Sequence, residues 1–181
     1  MKLNDKGFSL VELIISVAIL ALFSTAVIVG LGYMDLANSQ KCTSKIETGL
    51  MTLKSRNMAD SKRTYLYIYC GELDNNYYMA YSDNGDFLKK DLNGNVTTEV
   101  KTVSDLGLDE ISSEQIANQK IKISYNGKEL THGKVIPIGI KKKDGSLEII
   151  PQDSPTCTIA VEGSSSQTIK LVKATGKYFR E

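Results

Sequence analysis

Apolar and polar positions divide this chain into a rod and a body. From Phe8 to Met34, 20 of 27 residues are apolar and the one charged side chain is Glu12. In helical form this run is about 40 Å long, more than the ~30 Å hydrocarbon core of a bilayer, so residues 8–34 are expected to form a transmembrane helix. Lys2 and Lys6 precede the run and Asp35 follows it. That bias holds the amino terminus in the cytoplasm and places the rest of the chain outside. Residues 35–59 contain no proline, and Cys42, Ile46, Leu50 and Leu53 fall at i, i+4, i+8 and i+11, an apolar stripe of helical period. Lys41, Lys45, Glu47, Lys54 and Arg56 mark the other face. The spacing predicts one helix continuing to Ala59, with Gly30 and Gly32 as its weak points.

After Asp60 the period changes. Thr64 to Cys70 alternates tyrosines on one face with Leu66, Ile68 and Cys70 on the other, as a strand requires. Further strands are predicted at 77–81, 87–90, 120–125, 135–141, 147–150, 157–161 and 168–173. Asn84-Gly85, Asn93-Gly94, Asn126-Gly127 and Asp144-Gly145 read as turns. Ser112 to Gln119 is expected to be a short helix capped by a serine. The fold class is therefore α+β: a long amino-terminal helix, transmembrane and then amphipathic, packed on a mostly antiparallel β head spanning 60–181.

Composition adds exclusions. The 181 residues carry a net charge of +1, with 41% apolar and 24% charged residues, which fits one folded domain and excludes a disordered chain or a strongly basic nucleic-acid binder. A single histidine leaves little scope for a zinc site or a histidine-based triad. Asp91 to Asn95 resembles the start of a calcium loop but lacks the turn glycine, with Val96 in its place, and the closing glutamate, with Thr102 in its place. Asp83 to Asp86 reads as a hairpin tip and His132 as a loop histidine. No phosphate loop or nucleophile elbow is present, so neither enzymatic activity, a metal nor a cofactor is expected. Of the three cysteines, Cys70 and Cys157 lie in strand runs and are the candidate disulfide of an oxidising compartment; Cys42, on the helix stripe, is expected to remain a buried thiol.

Glu12 carries the sharpest signal. A carboxylate in an apolar membrane run costs up to about 2.5 to 3.5 kcal/mol near the bilayer centre, and simple anchoring gives it no use. No Lys or Arg lies within the rod, so its partner cation must come from elsewhere. A cleaved secretory signal fits less well, because Val27, Ile28, Val29 and Leu31 continue the apolar run past Ser24-Thr25-Ala26. An uncleaved single-pass anchor carrying an extracytoplasmic binding or sensor domain is the alternative.

Gly7-Phe8-Ser9-Leu10-Val11-Glu12-Leu13, behind a short lysine-bearing leader and ahead of an apolar helix, resembles the prepilin cleavage motif of the type IV pilin and pseudopilin superfamily. The resemblance implies that residues 1–7 are a cytoplasmic leader removed by prepilin peptidase between Gly7 and Phe8. It implies that Phe8 becomes the N-methylated first residue and that Glu12 meets the Phe8 amine of a neighbouring subunit during assembly. It also implies a pilus assembly platform in the cytoplasmic membrane and, after assembly, an extracellular filament or pseudopilus. Many pilins interrupt this helix with a proline; this chain does not. The order of helix and β head, ending in Ile169 to Val172, Gly176 and Tyr178 to Arg180, is similar to minor pseudopilins of the H type.

Charge is unevenly spread in the head: residues 60–119 hold 5 basic and 11 acidic side chains, and 120–181 hold 11 and 6. Lys141, Lys142 and Lys143 with Lys170, Lys173, Lys177 and Arg180 are a candidate patch. Solvated lysines, or docking to an acidic neighbour, account for it better than nucleic acid.

Overall fold

A computed structural model describes residues 10–60, 62–85, 103–108, 110, 112–149 and 154–181; the side chains of 25–35 and of Asp105 are outside that description. Helix α1, Leu10–Ala59, is 50 residues of unbroken α-helix, about 75 Å long, and it runs straight through Gly30 and Gly32. Among the described residues no helix is long and apolar enough to cross a membrane. Residues 25–34, the second part of the expected span, are among those whose side chains are not described.

Among the described residues ten strands follow: β1 Tyr65–Cys70, β2 Tyr77–Ser82, β3 Glu114–Ala117, β4 Lys122–Tyr125, β5 Lys128–Glu129, β6 Val135–Ile140, β7 Leu147–Ile149, β8 Thr156–Glu162, β9 Ser166–Val172 and β10 Lys177–Arg180. They form two five-stranded sheets, ordered β3-β2-β1-β6-β7 and β10-β9-β8-β4-β5, in which every described pairing is antiparallel. The strand predicted at 87–90 and the Asn93-Gly94 turn lie outside the described residues. Asn126 and Gly127 take positive φ, 49° and 75°, and join β4 to β5 as the two-residue hairpin that an Asn-Gly pair favours.

One core lies where the helix meets both sheets. The helix contributes its stripe, with Cys42, Ile46 and Leu53 wholly buried and Leu50 nearly so; Leu66, Ile68, Ile136 and Ile138 come from the first sheet, and Ile123, Ile159, Ile169 and Leu171 from the second. Each such side chain contributes about 1.5 to 3 kcal/mol by leaving water. The stripe also carries buried polar residues that apolar periodicity does not detect: Ser39, Thr43 and Asn57. Thr43 satisfies its hydroxyl on the Ser39 carbonyl at 3.0 Å.

One expectation is corrected here. Residues 112–119 are not a helix: Glu114–Ala117 pairs with β2 as an edge strand, and Ile116 and Ala117 are buried. A helix of eight residues is marginal alone, whereas the strand gains ladder hydrogen bonds and a buried face. Strand β1 alternates as predicted, yet both of its faces are buried. Its outer tyrosines, Tyr65, Tyr67 and Tyr69, form a second apolar cluster with Tyr78, Val103, Leu106 and Val135. Period-two alternation reports which side chains share a face, not whether later chain covers the polar-tipped one.

Candidate functional site

The first fifteen residues of α1 are exposed throughout. Leu10, Leu20, Leu22 and Phe23 show 65 to 76% of their surface, and no described head residue covers them. Their polar neighbours are satisfied locally: the hydroxyls of Ser16 and Ser24 each donate to the carbonyl four residues back, of Glu12 and Leu20, at 2.7 Å. That is how a hydroxyl is accommodated where water is absent. Glu12 sits in the first turn of the helix, exposed, where a carboxylate complements the amino-terminal end of the helix dipole. It lies roughly 40 Å along the axis from Ser39, a wholly buried residue of the same helix. Gly7 and Phe8, the predicted cleavage and methylation residues, lie outside the described residues.

Further along, Lys45 and Arg56 on the charged face of α1 reach the head. The Lys45 ammonium donates to the Gln115 carbonyl at 2.7 Å and pairs with Glu114 at 2.9 Å, strapping the helix to β3. The Arg56 guanidinium stacks 4.3 Å above the Tyr81 ring, and the Tyr81 hydroxyl donates to the Gly49 carbonyl at 3.2 Å. Open grooves of about 430 and 240 Å³ flank Lys45 without gathering a set of catalytic groups.

The cysteines stand as three buried free thiols, so the expected Cys70–Cys157 bond is not formed in this structure. Cys70 ends β1 in the first sheet and Cys157 lies on β8 in the second, where it is hydrogen-bonded with the Tyr125 hydroxyl. Burial pushes the Cys42 thiol up to about 12, tempered by nearby Lys45, which leaves it un-ionised at neutral pH.

The loop between β1 and β2 carries no motif in the sequence, yet it is held by a dense set of hydrogen bonds. The Glu110 carboxylate accepts the Glu72 and Leu73 N–H groups at 2.6 and 3.3 Å. Asp74 accepts the Asn76 N–H at 2.9 Å and the Tyr78 hydroxyl at 2.6 Å. Gly71 N–H closes onto the Asn76 carbonyl at 2.8 Å, and Asn75 takes a positive φ of 57°. The Tyr78 bond holds the Asp74 carboxyl below its ordinary range, and that same bond pushes the Tyr78 phenol up to about 12. His132 is exposed, its Nδ1 3.1 Å from the Asn75 side-chain oxygen. Among the described residues no group of three or more His, Cys, Asp or Glu side chains is arranged to hold a metal ion.

Two lysine groups distant in sequence come together. The Lys141–Lys143 turn follows β6 and the Lys173–Lys177 turn joins β9 to β10; the Leu147 N–H donates to the Lys173 carbonyl at 2.8 Å, and Gly176 abuts the Gly145 carbonyl. Lys142 also donates to the Asp60 carbonyl just past the helix end. Lys170 and Arg180 are not part of this group: Lys170 faces Glu181 at 3.7 Å, and Arg180 bonds the Gln167 side chain at 2.9 Å.

Residues 2–28 match the prokaryotic N-terminal methylation motif, the signature of type IV pilins and pseudopilins. That motif implies processing by prepilin peptidase and assembly with other pilin subunits. No curated protein and no solved structure matches the chain.

Proposed function

We propose that the chain is a structural subunit, major or minor, of a type IV pilus or of a secretion or competence pseudopilus. Residues 1–7 are a leader cut from the chain at the Gly7–Phe8 bond, and Phe8 is then N-methylated. Residues 8–34 insert in the cytoplasmic membrane with the head outside, and the subunit leaves the membrane by packing its helix against those of other copies. The methylation motif over residues 2–28, carried on a helix whose apolar side chains from Leu10 to Phe23 are left uncovered by the head, is the observation that supports this reading. A large uncovered apolar surface needs lipid or other helices around it.

Cleavage supplies the chemistry that assembly needs. It creates an ammonium at Phe8, one helical turn from Glu12, and in a low-dielectric bundle the two charges are tolerated only together. Subunits of unequal axial height would leave both unpaired, so pairing Glu12 with the Phe8 amine of a neighbour sets the register.

Mass spectrometry of protein extracted from cells that contain the peptidase is the direct test. A mature chain beginning at N-methylated Phe8 is expected. An intact Met1 in such cells overturns the reading and leaves an uncleaved membrane anchor.

A further inference from the structure

The two ends of the first sheet carry opposite character. Strand β1 fixes them: Tyr65, at one end, pairs with Gly139, next to the lysine turn at 141–143, while Cys70, at the other, leads into the loop at 71–76. Helix contacts orient both ends along α1. Thr64 is bonded to Asn57, near the end of the helix, whereas Gly49, farther back, packs against Leu66 and Met79. The lysine end is therefore distal and the 71–76 loop proximal along the helix axis.

The proximal loop presents Leu73 with 89% of its surface exposed, between Glu72 and Asp74. Among the described residues neither carboxylate is paired with a Lys or Arg, and the hydrogen bonds from Ser104, Tyr78 and Asn76 that hold them leave their charge in place. The distal end presents exposed Lys141, Lys142, Lys143 and Lys177, offset by Asp144 in the same turn, and the last helical turn nearby exposes Met58 at 68%.

Resting on the assembly reading above, we infer that the Glu72–Leu73–Asp74 loop of one copy docks on the Lys141–Lys143 and Lys177 end of a second copy of this chain. A leucine rimmed by carboxylates meets lysine stems and Met58, so apolar surface is buried while the charged heads pair at the rim. The loop's hydrogen bonds set its shape in advance, which lowers the ordering cost of binding. Because the two surfaces differ, the contact is head-to-tail, the kind that builds a filament wherever its rotation does not close a ring.

The test uses the full-length chain in cells that assemble it, with Leu73→Cys and Lys143→Cys combined and sheared filaments mildly oxidised. Both sites are exposed, and the three native thiols are buried. A disulfide needs Cα atoms within about 7 Å, so docking predicts a ladder of multimers in the double variant and at least tenfold less product in either single variant. Adding Lys141→Glu and Lys177→Glu is expected to reduce the ladder at least fivefold. Filaments that form without a ladder overturn the docking alone. Equal cross-linking in a single variant also overturns it, since like ends then face each other. A ladder untouched by the charge reversals overturns the pairing of the carboxylates with the lysine end. Absence of filaments together with an intact Met1 overturns the assembly reading, and the docking with it.

Discussion

Asn57 and Thr64 lock the corner at which the helix gives way to the head: the Asn57 amide donates to the Thr64 carbonyl at 2.8 Å, and its side-chain oxygen accepts the Thr64 N–H at 2.8 Å. Asn57 is only 2% exposed, while Thr64 is half-buried. Asn57→Ala is expected to destabilise the head by about 1 to 3 kcal/mol through the loss of two part-buried hydrogen bonds. Asn57→Asp, which keeps the acceptor alone, is also expected to destabilise. Urea unfolding of the detergent-extracted chain checks both; an unchanged midpoint for Asn57→Ala refutes the corner's importance.

Gly163 is where the second sheet meets the helix. A Cβ at this position would overlap Ser39 Oγ and come within 2.8 Å of Ile121 Cδ1, and Ser39 is wholly buried. Gly163→Ala is expected to cost about 1 to 3 kcal/mol through overpacking. Adding Ser39→Gly should recover part of that loss, a non-additivity that thermal melts of the four proteins in the cycle would read.

Glu12→Ala is expected to leave membrane insertion intact and to reduce filament yield at least tenfold. Membrane fractionation and shearing measure the two separately. Wild-type filament yield from this variant would mean that the carboxylate does not set register. Because Glu12 lies roughly 40 Å from the head along the helix, the unfolding midpoint of the head should not change.

The hydrogen bond from Tyr78 lowers the Asp74 carboxyl, so the folded state favours its ionised form. A depressed carboxyl adds stability that is present above its unfolded value of about 3.9 and disappears as pH falls through the lower folded value. Asp74→Asn should therefore be less stable than the parent at pH 6, with the gap between them narrowing towards pH 2. Melting temperatures across that range decide it: a gap of constant size would show that ionisation of Asp74 is not involved.

Residue by residue, what could be read in advance was whatever depends on near neighbours in the chain. The stripe of Cys42, Ile46, Leu50 and Leu53 buries as its spacing requires, because a helix places i and i+4 on one face wherever it docks. The Asn126-Gly127 hairpin forms because few other residue pairs adopt its dihedrals cheaply. The Ser112–Gln119 segment went the other way: its local preference is weak, and β2 together with Lys45 offered hydrogen bonds from residues 35 to 70 positions away.

By itself, then, the sequence determined the apolar rod, the position of Glu12 within it, the methylation motif and the mixed helix-and-strand class, all properties of short windows governed by hydrophobicity and period. Only the tertiary structure decided that Cys70 and Cys157 stand on different sheets as separate thiols, that the tyrosine face of β1 is covered, and that two lysine turns more than 25 residues apart share one end of the head. Those outcomes follow from which strands pair and which surfaces close against each other. They are set by the joint burial of distant segments against the entropy of closing the loops between them, a balance that no single window of residues contains.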